Sequence, residues 1–395
     1  MMSQRLLVQP EAIIGTLFAL VLGRWLYNYL RVRLEVLGLP TTHSLFELFE
    51  SGIRSKLPQT PFVSPVASLS LQKPFEKYAN AKTDLLAFTQ ATTPYAVYAT
   101  ANPSVAASIS NKPAKYVKPV RMFRYQAINR FGRQIVSAQN GEEHKRHKGV
   151  VRACFGKEIM ETGWTTMVDA YQVMCREEGL ENGGILKDVK EVLAKVTLLV
   201  IGSASFGVQF PYNSSTSEDA LMPFSDAIQL VETSMIFQLP LPLWLMTWSP
   251  FPYLRRCAKA QRSMVKHINE MIASRRKQTT ALQATLSADE QVLTQRDILG
   301  ALVASQIQVE EGKKKNTAGL TADEIFGNAF IFIVAGHTTT AHTLTFALAL
   351  MALYPQTQED IVQELASVCG DEYPTYRHMS KLPLTLATMY EALRL

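Results

Sequence analysis

The residues best suited to chemistry stand in an unexpected place. The segment from Phe330 to Pro355, FIFIVAGHTTTAHTLTFALALMALYP, sets a glycine, two histidines and several threonines inside the most apolar stretch of the chain. On a helix, Ala335 and Gly336 are followed one turn later by Thr339 and Thr340, so small residues and hydroxyls share a face. Glycine lets a flat ligand approach closely, and a threonine hydroxyl can bond back to the carbonyl one turn earlier and loosen the ladder. The product is a notch with a proton-donating rim. Two structural readings compete with that one: a membrane helix packed through small residues, and a core helix whose polar side chains are all satisfied.

A second pair with chemical potential is Glu391 and Arg394 in the closing stretch YEALRL. Three residues apart, they meet on one helical face, where a carboxylate and a guanidinium can form a two-pronged pair. The four cysteines, Cys154, Cys175, Cys257 and Cys369, are scattered, and none belongs to a C-x-x-C pair. They read as thiols of a reducing compartment and not as a disulfide framework or a metal site.

The elements that position these residues follow from local signals. Thr321-Ala322-Asp323-Glu324 is a capping box and Pro355 a stop, so one helix is expected from Ala322 to Tyr354, roughly 50 Å long at the α-helical rise. Thr93 to Asn111 reads as a short strand followed by a helix, with Asn102 as N-cap and Pro103 in the first position. Most of the remaining chain reads as helix, with polar loops at 211–219, 285–297 and 311–319. Pro240 to Pro252, PLPLWLMTWSPFP, is too rich in proline for a helix; it is expected as a buried loop, or as a patch that dips into a bilayer.

The N-terminus, from Ala12 to Leu30, is nearly long enough to span a membrane, and Arg24, Arg31 and Arg33 cluster at its end. The expected organisation is an anchor over 1–35, a linker over 36–60 and a domain over 61–395 facing the cytosol. With 395 residues, 47% of them hydrophobic and 19% charged, a large core is available and disorder is excluded. A net charge of +6, from dispersed residues, gives no nucleic-acid footprint and suits an anionic membrane surface or an acidic partner equally well.

AGHTTT on a long buried helix, followed by LYPQTQEDIVQEL and then LPLTLATMYEALRL, resembles the oxygen-binding helix and the E-x-x-R helix of the cytochromes P-450, the haem-thiolate monooxygenases. Upstream, Phe131 to Phe155, FGRQIVSAQNGEEHKRHKGVVRACF, is similar to that family's haem-propionate helix and the loop before it. The resemblance implies a mainly α fold with a small β region, heme as cofactor, and insertion of one oxygen atom of O2 into a hydrophobic small molecule. It implies electrons from NADPH through a flavoprotein reductase, and a location at the endoplasmic reticulum membrane.

Carried over residue by residue, Ala335 and Gly336 would lie against the haem, Thr339 would hydrogen-bond the bound oxygen, and Thr338 would share in proton delivery. His144 and Lys148 would reach the propionates, Asn328 and Phe332 would face the substrate, and Glu391 and Arg394 would be a structural clamp. Three departures stand out. Thr338 occupies the position of an acid, so protons must reach the notch by another route. His144 and Lys148 replace the usual tryptophan and arginine. No F-x-x-G-x-R-x-C-x-G loop follows Arg394, and without its thiolate the iron cannot perform this family's reaction. On this reading the chain is C-terminally incomplete and inactive as it stands. Two alternatives are a non-catalytic, membrane-anchored binding protein that keeps the pocket, and a multi-span membrane protein in which Ile325–Tyr354 and Pro223–Pro252 also cross the bilayer.

Overall fold

The computed structural model describes residues 10–44, 75–90, 95–213, 221–238, 241–285, 297–312 and 319–394. They fall into two compact units, Met1–Tyr116 and Val117–Leu395. Much of the stretch read as a linker, and large parts of the three polar loops, lie outside the described residues.

The first unit holds helix α1 (Pro10–Glu35), strand β1 (Thr41–Ser44), helix α2 (Glu76–Ala81), strands β2 (Leu85–Gln90) and β3 (Ala96–Thr100), and helix α3 (Pro103–Ser110). β1 pairs parallel with β2, Thr41 opposite Ala87, and β2 pairs antiparallel with β3, Ala87 opposite Tyr98. The expected strand and capped helix form as read: the Asn102 side chain accepts the N–H groups of Ser104 and Val105, and Pro103 opens α3. β1 falls within the stretch 36–60. Leu86 and Phe88 of β2 pack with Tyr78 in a small core of their own.

α1 is a helix as expected, and its outward residues Phe18, Leu20, Val21, Leu22, Leu26 and Leu30 are exposed. Among the described residues, however, no helix is long and apolar enough to cross a membrane. The expected anchor over 1–35 lies partly outside the described residues. Arg24, Arg31 and Arg33 with Asn28 lower the apolarity of the second half of α1, as the small and hydroxyl residues do in the central helix.

The second unit is helical: α4 (Phe123–Ile128), α5 (Glu142–Val151), α6 (Lys157–Glu177), α7 (Val189–Val200), α8 (Phe224–Gln238), α9 (Leu243–Thr247), α10 (Pro252–Thr285), α11 (Ile298–Glu310), α12 (Ala322–Leu353), α13 (Pro355–Cys369) and α14 (Pro383–Arg394). α12 is the long helix the capping box announces. The Thr321 hydroxyl accepts the Glu324 N–H while the Glu324 carboxylate accepts the Thr321 N–H, and Pro355 then starts α13 in its first position. Ala329, Phe330 and Ile333 of α12 form one wall of the main core, closed by Ile228 and Val231 of α8, Met264 and Ile268 of α10, and Leu299 and Val303 of α11.

From Leu241 on, the 240–252 stretch departs from the buried-loop reading. It folds into the short helix α9, which buries Met246 but leaves Trp244, Trp248 and Phe251 exposed, at 65%, 83% and 66%. It is not a buried loop, because one apolar anchor suffices to seat so short a helix and its other rings face outward.

Candidate functional site

The polar interruption of α12 serves three directions at once. Ala335, Thr339 and Thr340 are exposed on one face, and the Thr339 hydroxyl donates back to the Ala335 carbonyl at 2.6 Å. Gly336 points elsewhere. A Cβ there would come within 2.6 Å of Ile201 Cδ1, so the glycine admits the π-helical turn Ile201–Ser205 that continues α7. On its Cβ side the space at Gly336 is filled by Ile201, while the residue itself is partly exposed. Thr338 faces α8, where its hydroxyl donates to Glu232 Oε2, and His337 is buried beside it, with its carbonyl accepting the Thr197 hydroxyl at 3.1 Å.

Two turns toward the N-terminus, Asn328 is fully buried and does not line an open cavity. Its Oδ1 accepts the Ile135 N–H at 3.1 Å, which turns its amide nitrogen toward the Glu324 carbonyl at 2.6 Å and His147 Nδ1 at 2.9 Å. With Nδ1 accepting, the His147 proton sits on Nε2, facing Glu324 Oε1 at 3.5 Å. Arg146 completes the cluster with two hydrogen bonds to the Glu324 carboxylate, at 2.6 and 2.7 Å. Burial acts to raise the Glu324 pKa, but the hydrogen bonds of Arg146 and the Thr321 N–H outweigh it and bring it down to about 2. Burial lowers the His147 pKa and keeps the ring neutral.

Glu143, His147 and Glu324 bring possible metal-ligand atoms within 4.8 Å of one another. Their electrons are already engaged: Arg146 holds Glu324, Arg133 holds Glu143 at 3.1 Å, and His147 presents a proton. The cluster is a clasp that ties α5 and the 133–138 turn to the start of α12. A close backbone contact supports it, since a Cβ on Gly327 would lie 2.6 Å from the Arg133 carbonyl oxygen and 2.7 Å from Gly132. Phe332, half-buried, packs into the core with its ring 6.1 Å from that of Phe155.

On α5, His144 is partly buried and Lys148 exposed. The His144 pKa is lowered by burial first and then by the positive charges of Lys118 and Lys148, which marks a concentration of cationic groups. Lys118 is held by the Ile135 and Val136 carbonyls at 3.3 and 2.9 Å. Glu391 and Arg394 do pair, at 2.6 and 2.8 Å, and both are exposed. Solvent screens that pair.

Tested against a haem, this donor set fits on two counts. The lysines Lys118 and Lys148, with the His144 ring near them, suit carboxylates at the periphery, and the Ala335–Thr339 face offers a small side chain beside a hydroxyl. It does not supply the axial thiolate. Cys154, Cys175 and Cys257 pack into helix contacts away from α12's exposed face, Cys154 with its pKa pushed up to about 11 by burial, and Cys369 lies beside His378.

Sequence reasoning missed Glu232, Arg146 and His147. A signal for the first was present, because Glu232 is the single charged residue between Asp226 and Arg255.

Comparison with known proteins gives the family. The family model described as Cytochrome P450 matches residues 58–395. Cytochrome P450 monooxygenase 124 of Postia placenta is 29% identical over 304 residues, covering 76% of this chain and 55% of that protein. Cytochrome P450 72A68 of Medicago truncatula is 26% identical over 294 residues, covering 73% and 52%. The 11-oxo-beta-amyrin 30-oxidase of Glycyrrhiza uralensis is 26% identical over 263 residues, covering 65% and 46%. The chain spans about half the length of the curated relatives it matches. With a family model matching most of its length and a central helix that carries AGHTTT on a partly exposed face, the chain belongs to the cytochrome P450 family.

Proposed function

We propose that this chain forms the oxygen-side part of a haem-dependent monooxygenase that inserts one atom of O2 into a hydrophobic small molecule. Electrons come from NADPH through a flavoprotein reductase. The observation that carries the reading is the shared exposure of Ala335 and Thr339, which leaves a small side chain and a hydroxyl on one open face of α12. When bound there, a haem supplies the oxidising chemistry. The residues of the chain do the rest: Thr339 presents a hydroxyl, Ala335 leaves room, and Lys118, His144 and Lys148 hold the propionates. Phe332, half-buried one turn earlier, gives the substrate side an aromatic edge, and Asn328 supports that turn from within its clasp.

The exposed apolar residues of α1 support association with a membrane surface, at the endoplasmic reticulum, with residues 61–395 in the cytosol and 36–60 between. Carbonate and salt washes of membranes from cells expressing the chain with and without residues 1–35 test this. Equal retention contradicts it.

One observation favours a non-catalytic binding protein instead: among the described residues, no thiol faces the open side of α12. Purified protein expressed with haem precursor decides between the two. Stoichiometric haem uptake that A335W weakens supports the monooxygenase. A colourless, folded protein that still binds apolar ligands supports the alternative.

A further inference from the structure

Glu232 sits on α8 with its side chain only 10% exposed. A buried carboxylate needs donors, and a polar atom left without one calls for an explanation. Oε2 accepts the Thr338 hydroxyl. Oε1 has no hydrogen bond and faces His337 Nδ1 at 3.6 Å. His337 Nδ1 in turn lies 3.1 Å from Thr338 Oγ1. Because the hydroxyl proton is already directed at Glu232, that contact is favourable only if Nδ1 donates. The order is therefore Nδ1–H to Oγ1–H to carboxylate. The other charged or titratable groups felt here are His342, on the same helix, and Lys190 of α7.

The AGHTTT segment has no carboxylate of its own, and its neighbour α8 places one on the hydroxyl next to Thr339 in sequence. We propose that Glu232 is the carboxylate of the α12 notch, a positioning residue that holds the Thr338 hydroxyl and the Nδ1–H form of His337 and so governs proton supply beside Thr339. The proton count is simple: once a proton taken up at Nε2 has made the His337 ring an imidazolium, it passes its Nδ1 proton to Thr338 Oγ1 as the hydroxyl passes its own to Glu232. The threonine is unchanged, the imidazolium has become a neutral imidazole and the carboxylate has gained one proton. The functional meaning of this supply rests on the monooxygenase reading; the arrangement of the three side chains does not.

Nitrogen-15 NMR of the histidine-labelled 395-residue chain tests it, with the His337 signals identified by their loss in H337Q. The parent, at a pH where the ring is neutral, is expected to show His337 mainly protonated on Nδ1. E232Q replaces the acceptor with an amide that can itself donate, and the Nδ1–H form is expected to become the minor one. E232Q/T338E returns a carboxylate to the same spot from α12 and is expected to restore the parent spectrum. A His337 protonated on Nε2 in the parent overturns the proposal even if no variant folds, as does an E232Q spectrum identical to the parent's or a double variant that restores nothing. Failure to take up haem counts against the monooxygenase reading and leaves the NMR result standing.

Discussion

The Thr338 hydroxyl donates to the buried Glu232 carboxylate, while the adjacent Thr339 bonds back to Ala335 on the exposed face. Neighbouring threonines of one motif therefore have different work, and their substitutions separate. T338V leaves a buried carboxylate short of its donor and is expected to cost about 1–3 kcal/mol. T339V removes only an exposed bond back to the helix and is expected to change stability by less than about 0.5 kcal/mol. Denaturant midpoints of the two variants check this; equal losses contradict it.

Asn328 should matter for stability more than its small side chain suggests. N328A leaves the Ile135 N–H and His147 Nδ1 buried without partners, and the expected loss is about 2–3 kcal/mol. Urea unfolding gives the number, and a loss comparable to that of an exposed substitution places the residue elsewhere.

Acid should loosen the clasp in two stages. Both groups have folded-state pKa values below their ordinary ones, His147 below 6.5 and Glu324 at about 2 against 4.5. For such groups the unfolded chain binds more protons, so stability falls as pH falls. The contribution of His147 is complete above 6.5 and declines below it; that of Glu324 is complete above 4.5 and is lost as pH drops through about 2. E324Q, which breaks the partly buried pair with Arg146, should cost on the order of 3 kcal/mol at neutral pH and flatten the acid limb. Stability measured from pH 7 to 3 that has the same slope in parent and variant speaks against this.

Gly327 is expected to tolerate no side chain. A Cβ there meets backbone atoms of Gly132 and Arg133, which cannot swing aside as a side-chain tip can. Gly132, at φ +103°, is equally fixed, since its Cβ would strike the Asp323 carbonyl. G327A should lose about 2–3 kcal/mol by overpacking despite the better helix propensity of alanine. G336A meets only the flexible end of Ile201 and should lose less. Thermal melts of both variants rank them, and the reverse order contradicts the reading.

These relationships also mark how far the sequence could be read. The capping box of Thr321 and Glu324, the Pro355 stop and the Asn102 cap are local, and each forms where the residue types place it. The partners of α12 are not local. Gly336 answers to Ile201, Thr338 to Glu232 and Asn328 to Ile135 and His147, all more than a hundred residues away. A helical period shows which residues share a face but not which helix covers it, so Gly336 and Ala335 could not be told apart. The Glu391–Arg394 pair forms because its spacing is local, and its exposure was unreadable for the same reason. Trp244 and Trp248 belong to a stretch that reads equally as a buried loop or as a bilayer-facing patch, and they stay on the surface, as apolar residues often do.

The central claim is that the Ala335–Thr339 face receives a haem. Titrating haem into the purified 395-residue chain and into A335W, which fills that face without disturbing the buried side of α12, tests it most directly. The account predicts saturable uptake by the parent and affinity weakened about tenfold or more in A335W. Equal uptake by the two proteins, or none by a folded parent, would contradict it.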